Sequence, residues 1–320
     1  MVCLPDGELN RVPFAALPAP QQPNQPLAAA VQLRMLTTGR DLVRLQNPAA
    51  RSQTSLVVAN PSFDRAGSNS SQASARGSQQ GPQRRSAALG SSQWDPLPGT
   101  EREGQQVAGI LGAPLLSGPA ATATALKQKQ SPQVLHVATH GFFLPDQASP
   151  PTDPLRVVQE QTTSLTALRG EAPLLRSGLV LAGANQPAAD PNDDGHLTAA
   201  EILKINLRGT ELVVLSACST GQGEVRTGEG VYGLQRALTV AGARSTLLSL
   251  WKVDDAATAL FMERFYRRLK AGEGRAAALA AVQAEFRSGE LQGPSGQDWS
   301  EPYYWAAWQL TGDWGPIKGL

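Results

Sequence analysis

The 320 residues carry 28 Lys and Arg against 27 Asp and Glu, and 41% are hydrophobic. That is apolar material for one large α/β domain or two small ones, and a net charge of +1 with no basic run excludes a chain built to follow a nucleic-acid backbone. Two cysteines, Cys3 and Cys218, are too few for a disulfide framework, and no apolar run nears the ~20 residues of a membrane span, so a soluble cytoplasmic protein without a membrane partner is expected.

In chain order, 2–14 reads as a strand, an Asp6-Gly7 turn and a second short strand. A Pro/Gln-rich connector at 18–26 leads into a helical or mixed segment to Leu45, broken at Thr37-Thr38-Gly39, and 55–60 is the next buried strand. From 62 to 92 the composition turns to Ser, Gln, Gly and Arg, which cannot bury enough surface to offset the entropy of ordering it. A disordered insertion is expected there, because strand patterns lie on both sides. Thr100-Glu101-Arg-Glu103 opens a helix with a hydroxyl cap and early acids, and a second helix near 120–130 precedes Gln133-Val-Leu-His136-Val-Ala-Thr-His140-Gly141, a buried strand ending in histidine and glycine.

A proline-containing loop at 142–176 follows, then a strand at 177–182 and a short helix at 198–203. Glu211-Leu-Val-Val-Leu-Ser-Ala-Cys218 is a second apolar run, ending in a cysteine before Ser219-Thr220-Gly221. Helices at 230–241, 254–270 and 275–287, a strand at 244–251 and an aromatic strand at 303–310 complete the pattern. Strands alternating with helices over this length predict an α/β fold with a mostly parallel sheet covered on both faces.

Chemistry in such sheets gathers at the carboxyl ends of the strands, so His140 and Cys218 are candidates for one cleft. A thiolate activated by an imidazole is a strong nucleophile, and the backbone N–H groups of Gly141 and Cys218 suit an oxyanion hole. The competing reading is a structural cysteine and a satisfied core histidine. His136 shares the His140 face at even spacing and reads as a packed residue rather than a ligand. Gly228-Glu-Gly230-Val-Tyr-Gly233 has the G-x-G-x-x-G spacing, but a ten-residue loop separates it from its strand, so helix packing explains it better than a nucleotide.

Asp190, Asn192, Asp194 and Glu201 match a twelve-residue calcium loop, although no helix enters it and Thr198-Ala-Ala-Glu201 is also a capping box. Calcium is thus the one cofactor considered, with His196 expected in the loop. Of the two acids after Leu250-Trp251-Lys252-Val253, one suits a helix cap, while the other can sit in a specificity pocket and favour a basic substrate side chain.

Taken together, Leu4-Pro-Asp-Gly-Glu-Leu-Asn-Arg-Val-Pro-Phe14, His136-Val-Ala-Thr-His140-Gly141, Ser177-Gly-Leu-Val-Leu181, Leu215-Ser-Ala-Cys218, Gly228-Glu-Gly230, Leu250-Trp251 and Tyr303-Tyr-Trp-Ala306 resemble the CHAT domain, a caspase-like cysteine peptidase module of the clan that includes separases and caspases. The resemblance implies a single caspase-like αβα domain over 1–320. It makes His140 the base and Cys218 the nucleophile of a cysteine endopeptidase, with Gly141 and Cys218 forming the oxyanion hole. Asp255 matches the acid that reads an arginine in a similar separase stretch. Ser216-Ala-Cys218 stands where caspases carry Gln-Ala-Cys, so cleavage after aspartate is not implied. CHAT proteins commonly carry helical tetratricopeptide repeats upstream and this chain has none. A regulatory helical-repeat protein or a missing upstream region is therefore expected beside a protein substrate. The alternatives to the peptidase are a latent or non-enzymatic scaffold and a calcium-triggered peptidase.

Overall fold

A computed structural model describes residues 1–47, 54–64, 92–144, 173–186, 193–219 and 228–320, with the side chains of residues 8, 173, 217–219 and 228–232 outside that description. The Ser/Gln-rich stretch expected as an insertion falls almost wholly outside the described residues, as do Asp190 and Asn192. In chain order the elements begin with β1 (Val2–Cys3), β2 (Pro18–Ala19), β3 (Gln22–Pro26), α1 (Leu27–Ala30), β4 (Arg34–Met35), α2 (Asp41–Gln46) and β5 (Leu56–Pro61). They continue with α3 (Pro98–Leu111), β6 (Leu115–Gly118), α4 (Ala123–Lys127), β7 (Val134–Phe143), β8 (Ser177–Val180), β9 (His196–Thr198), α5 (Ala199–Ile202) and β10 (Leu212–Ser219). The last are α6 (Gly228–Ala241), β11 (Ser245–Ser249), α7 (Asp255–Lys270), α8 (Arg275–Arg287), α9 (Pro302–Trp305) and β12 (Trp308–Gly312).

One large sheet runs β1-β4-β12-β11-β10-β7-β5-β6, and β8 joins β7 to β9 at its side. Its central strands β11, β10, β7, β5 and β6 are parallel, while β12 lies antiparallel to β11. This is the α/β, mostly parallel architecture expected from the sequence. The near-continuous apolar runs of β5, β7 and β10 are explained by burial on both faces. Val57, Val134 and Val214 pack with α3, α7 and α8, whereas their neighbours Val58, Leu135 and Val213 pack with α4, α5 and α6. Each buried Val or Leu contributes about 1.5–3 kcal/mol relative to exposure.

Several local expectations are corrected. Asp6-Gly7 does not make a hairpin: Asp6 accepts from the Gly7 N–H and starts a 3-10 turn over Gly7–Arg11, with Gly7 in the left-handed region at φ 52°. The Pro/Gln connector instead forms the β2–β3 pair. Thr100 is not the cap of α3, because Pro98 starts that helix two residues earlier, and Thr100 Oγ1 donates to the Leu97 carbonyl. His196 belongs to a strand rather than a loop, and Pro302 turns the first half of the aromatic run into α9 before β12 begins.

Candidate active site

β7 outruns its neighbour β5. Their pairing ends at Ala59 opposite Ala138, where β5 bends away through Asn60 in the left-handed region (φ 47°). Asparagine tolerates that conformation, and the Asn60 N–H finds Thr100 Oγ1 at 3.1 Å. β8 takes the vacated side antiparallel, with Leu179 opposite Gly141. On the other side β10 stays in parallel register to its end, setting Cys218 opposite His140 and Ser219 opposite Gly141. Register partners in a pleated sheet share a face, so positions 140 and 218 stand side by side at the carboxyl ends of adjacent strands.

The His140 ring is 3% exposed and lies against Phe63 and Trp94, with centroids 5.1 and 5.5 Å away. Its Nε2 meets the Asp95 carbonyl at 2.8 Å. A carbonyl only accepts, so the contact assigns the proton to Nε2 and, in the neutral ring, leaves the lone pair on Nδ1. Asn185 holds the segment that supplies this carbonyl: its Oδ1 accepts from the Trp94 N–H at 2.8 Å and its Nδ2 donates to the Trp94 carbonyl at 2.9 Å. Burial pushes the His140 pKa below the ordinary histidine value, and Lys252 adds to this. The Asp95 carbonyl and the charges of Asp95 and Asp255 oppose the shift without reversing it. The imidazole is thereby kept neutral, with its lone pair available, to lower pH.

A pocket opens beside His140, lined among others by Gly99, Glu103, Ser216, Lys252, Asp255 and Thr258. The two acids predicted at the start of α7 divide their work. Asp254 Oδ1 caps the helix by accepting from the Ala257 N–H at 3.0 Å, while Asp255 lines the pocket. Asp255 rests on the first turn of α3, where a Cβ on Gly99 would come within 2.1 Å of its Oδ2. Burial raises the Asp255 pKa; Lys252 and His140 lower it, and Asp254 and Glu103 raise it further.

Away from the pocket, the two described acids of the expected calcium loop, Asp194 and Glu201, have other partners. Glu201 Oε2 accepts from the Thr198 N–H and hydroxyl in the capping box, and Oε1 pairs with Lys127 Nζ at 2.7 Å. Asp194 Oδ1 accepts from the His196 N–H at 2.9 Å. No cluster of His, Cys, Asp and Glu suited to a metal occurs among the described residues, and no described helix is long and apolar enough to cross a membrane. Gly228 begins α6, two residues ahead of the helix start expected at 230.

The sequence reading did not find Phe63, Trp94 and Asn185, or the role of the Asp95 carbonyl. Trp94-Asp95-Pro96 carried the only signal, since proline holds its predecessor extended, away from the helical geometry that would give the Asp95 carbonyl a local partner.

A family model of the CHAT domain matches residues 1–313. Tetratricopeptide repeat protein 28 of Homo sapiens is 27% identical over 328 residues, covering 98% of this chain, and its Mus musculus counterpart is 28% identical over 341 residues with the same coverage. The chain spans only 12% of the length of either relative. Among solved structures, the Arg-specific cysteine proteinase gingipain R aligns over 89% of this chain and 55% of its own, with 9% identity and a TM-score of 0.45.

Proposed function

Because the chain belongs to the CHAT domain family, we propose that it is a caspase-like cysteine endopeptidase working through Cys218 and His140. The observation that carries the reading is the parallel register of Cys218 with a buried His140 whose Nε2 is tied to the Asp95 carbonyl. In this mechanism Nδ1 takes the Cys218 thiol proton and the sulfur attacks a peptide carbonyl carbon. The backbone N–H groups of Gly141 and Cys218 receive the oxyanion. Collapse of the tetrahedral intermediate breaks the C–N bond, and His140 returns the proton to the leaving amine. Water, deprotonated by His140, then hydrolyses the thioester and restores the thiol.

Asp255 in the neighbouring pocket makes a basic residue before the cut the preferred substrate. Two cysteines in 320 residues suit a thiol nucleophile in the reducing cytoplasm. A calcium trigger would require Glu201 to exchange its Lys127 partner for the ion, so the described donors give that reading no support.

A second reading, a latent domain or scaffold governed by helical repeats, is favoured by one fact: the relatives are named for tetratricopeptide repeats and extend far beyond the matched region. Incubation with a mixed peptide library separates the two. Cleavage by the unaltered chain, lost in Cys218→Ala and His140→Ala and stripped of its Arg/Lys selectivity in Asp255→Ala, is the expected result. Equal cleavage by the chain and both dyad variants contradicts the dyad, and unchanged selectivity removes Asp255 from the pocket's role.

A further inference from the structure

Beneath the dyad, on the same side of the sheet, a polar group is buried where the surrounding core is apolar. Glu103, His136, Tyr266 and Ser216 are 2%, 0%, 0% and 7% exposed. Glu103 reaches in from α3, which lies so close to the sheet that a Cβ on the next residue, Gly104, would meet the Ala59 Cβ at 2.4 Å. Its Oε2 accepts from Ser216 Oγ at 3.1 Å, and its Oε1 stands 3.2 Å from His136 Nε2, an approach angled away from a straight hydrogen bond. On the far side of that ring, Nδ1 is 3.1 Å from the Tyr266 hydroxyl. Burial, and then the charge of Glu103, hold the Tyr266 proton in place; a hydroxyl donating to Nδ1 leaves the ring proton on Nε2, on the Glu103 side.

The two partners of Glu103 come from the two strands that matter. Ser216 precedes Cys218 by two residues on β10, and His136 precedes His140 by four on β7. At about 3.3 Å per residue, a slide of β10 along β7 would break at least one of these contacts and displace the Cys218 position against His140 by the same step. An apolar side chain could fill the same volume at lower desolvation cost, since buried polar clusters replaced by packed hydrophobes are often neutral in stability. A carboxylate with one oxygen toward each strand adds what a hydrophobe cannot, a side-chain tie that reinforces the backbone register of β10 and β7 near their ends.

We infer that Glu103, braced by His136 and Tyr266, is a positioning residue that sets the height of Cys218 against His140. The inference rests on the dyad reading above. Its test is the rate at which iodoacetamide alkylates Cys218 as a function of pH, read on the Cys218 peptide by mass spectrometry so that Cys3 does not contribute. In Glu103→Gln and Ser216→Ala, folded as judged by melting temperature, the rate falls about tenfold, in keeping with the cost of a small misplacement. The pH midpoint of the alkylation shifts with it, because the thiol and the imidazole no longer meet at one height. The double variant is no worse than the poorer single one, because both break the same link. His136→Gln, which retains an amide N–H near the Nε2 position, keeps more of the rate than His136→Leu. Should Glu103→Gln fail to fold, Ser216→Ala carries the test. Wild-type rate and midpoint in the folded variants would overturn the inference while leaving the dyad intact. An alkylation rate that His140→Ala does not change would instead overturn the dyad, and this inference with it.

Discussion

At the scale of single residues, the proposed dyad turns on His140. In that reading its neutral form is the base, and burial lowers its pKa, so the imidazole gives up its lone pair only once the pH falls through a value below the ordinary ~6.5. The acid limb of the pH–rate profile for peptide cleavage is therefore predicted to lie below about pH 6.5. A limb at or above that value would mean that burial does not control the ring. Asp255 titrates in the opposite sense. Its raised pKa means that it loses its charge at a higher pH than an exposed carboxylate does, so the selectivity proposed for a basic residue is predicted to weaken before an ordinary acid would be protonated.

At the scale of elements, the site depends on a segment with no regular structure. Trp94 and Asp95 reach His140 because Asn185 binds both the N–H and the carbonyl of Trp94. Asn185→Ala is expected to cost about 1–3 kcal/mol in urea unfolding and to slow cleavage as the Asp95 carbonyl drifts from Nε2. Unaltered stability and rate would show that the segment holds itself. The same segment marks the limit of what the sequence makes legible. β7 and β10 were readable because strands buried on both faces are written as apolar runs, and their ends named His140 and Cys218. The Asp95 carbonyl was not, because a backbone group leaves no side-chain signature. Glu103 resembled a first-turn acid until Pro98 moved the start of α3. The three-residue strand of His196 is too short to show a period, and Asp6-Gly7 fits a 3-10 start as well as a hairpin.

At the scale of the whole molecule, the end of the sheet opposite the pocket is held by a buried guanidinium. Arg275, 1% exposed, donates to the Glu211 carbonyl at 2.8 Å, Ser245 Oγ at 2.9 Å, the Glu211 carboxylate at 3.0 Å and the Gly315 carbonyl at 2.9 Å. It thereby joins α8 to the starts of β10 and β11 and to the segment after β12. Arg275→Met leaves the Glu211 carboxylate without this partner and is expected to lower unfolding stability by about 3–5 kcal/mol, read as a shift in the urea midpoint; no shift would make the cluster redundant. Nearby, burial raises the Asp313 pKa, but Arg275, the Gly315 N–H and Arg244 outweigh it and hold the value below the ordinary range. The stability Asp313 adds is therefore present above its unfolded pKa and lost as the pH falls through the folded one. That anchor lies at the end of the sheet away from the proposed dyad. Labelling of Cys218 by a peptide electrophile carrying arginine at the position before the reactive group tests the dyad most directly. Selective labelling of Cys218 that disappears in His140→Ala is the predicted result, and a Cys218 that is inert, or labelled equally with and without His140, would contradict it.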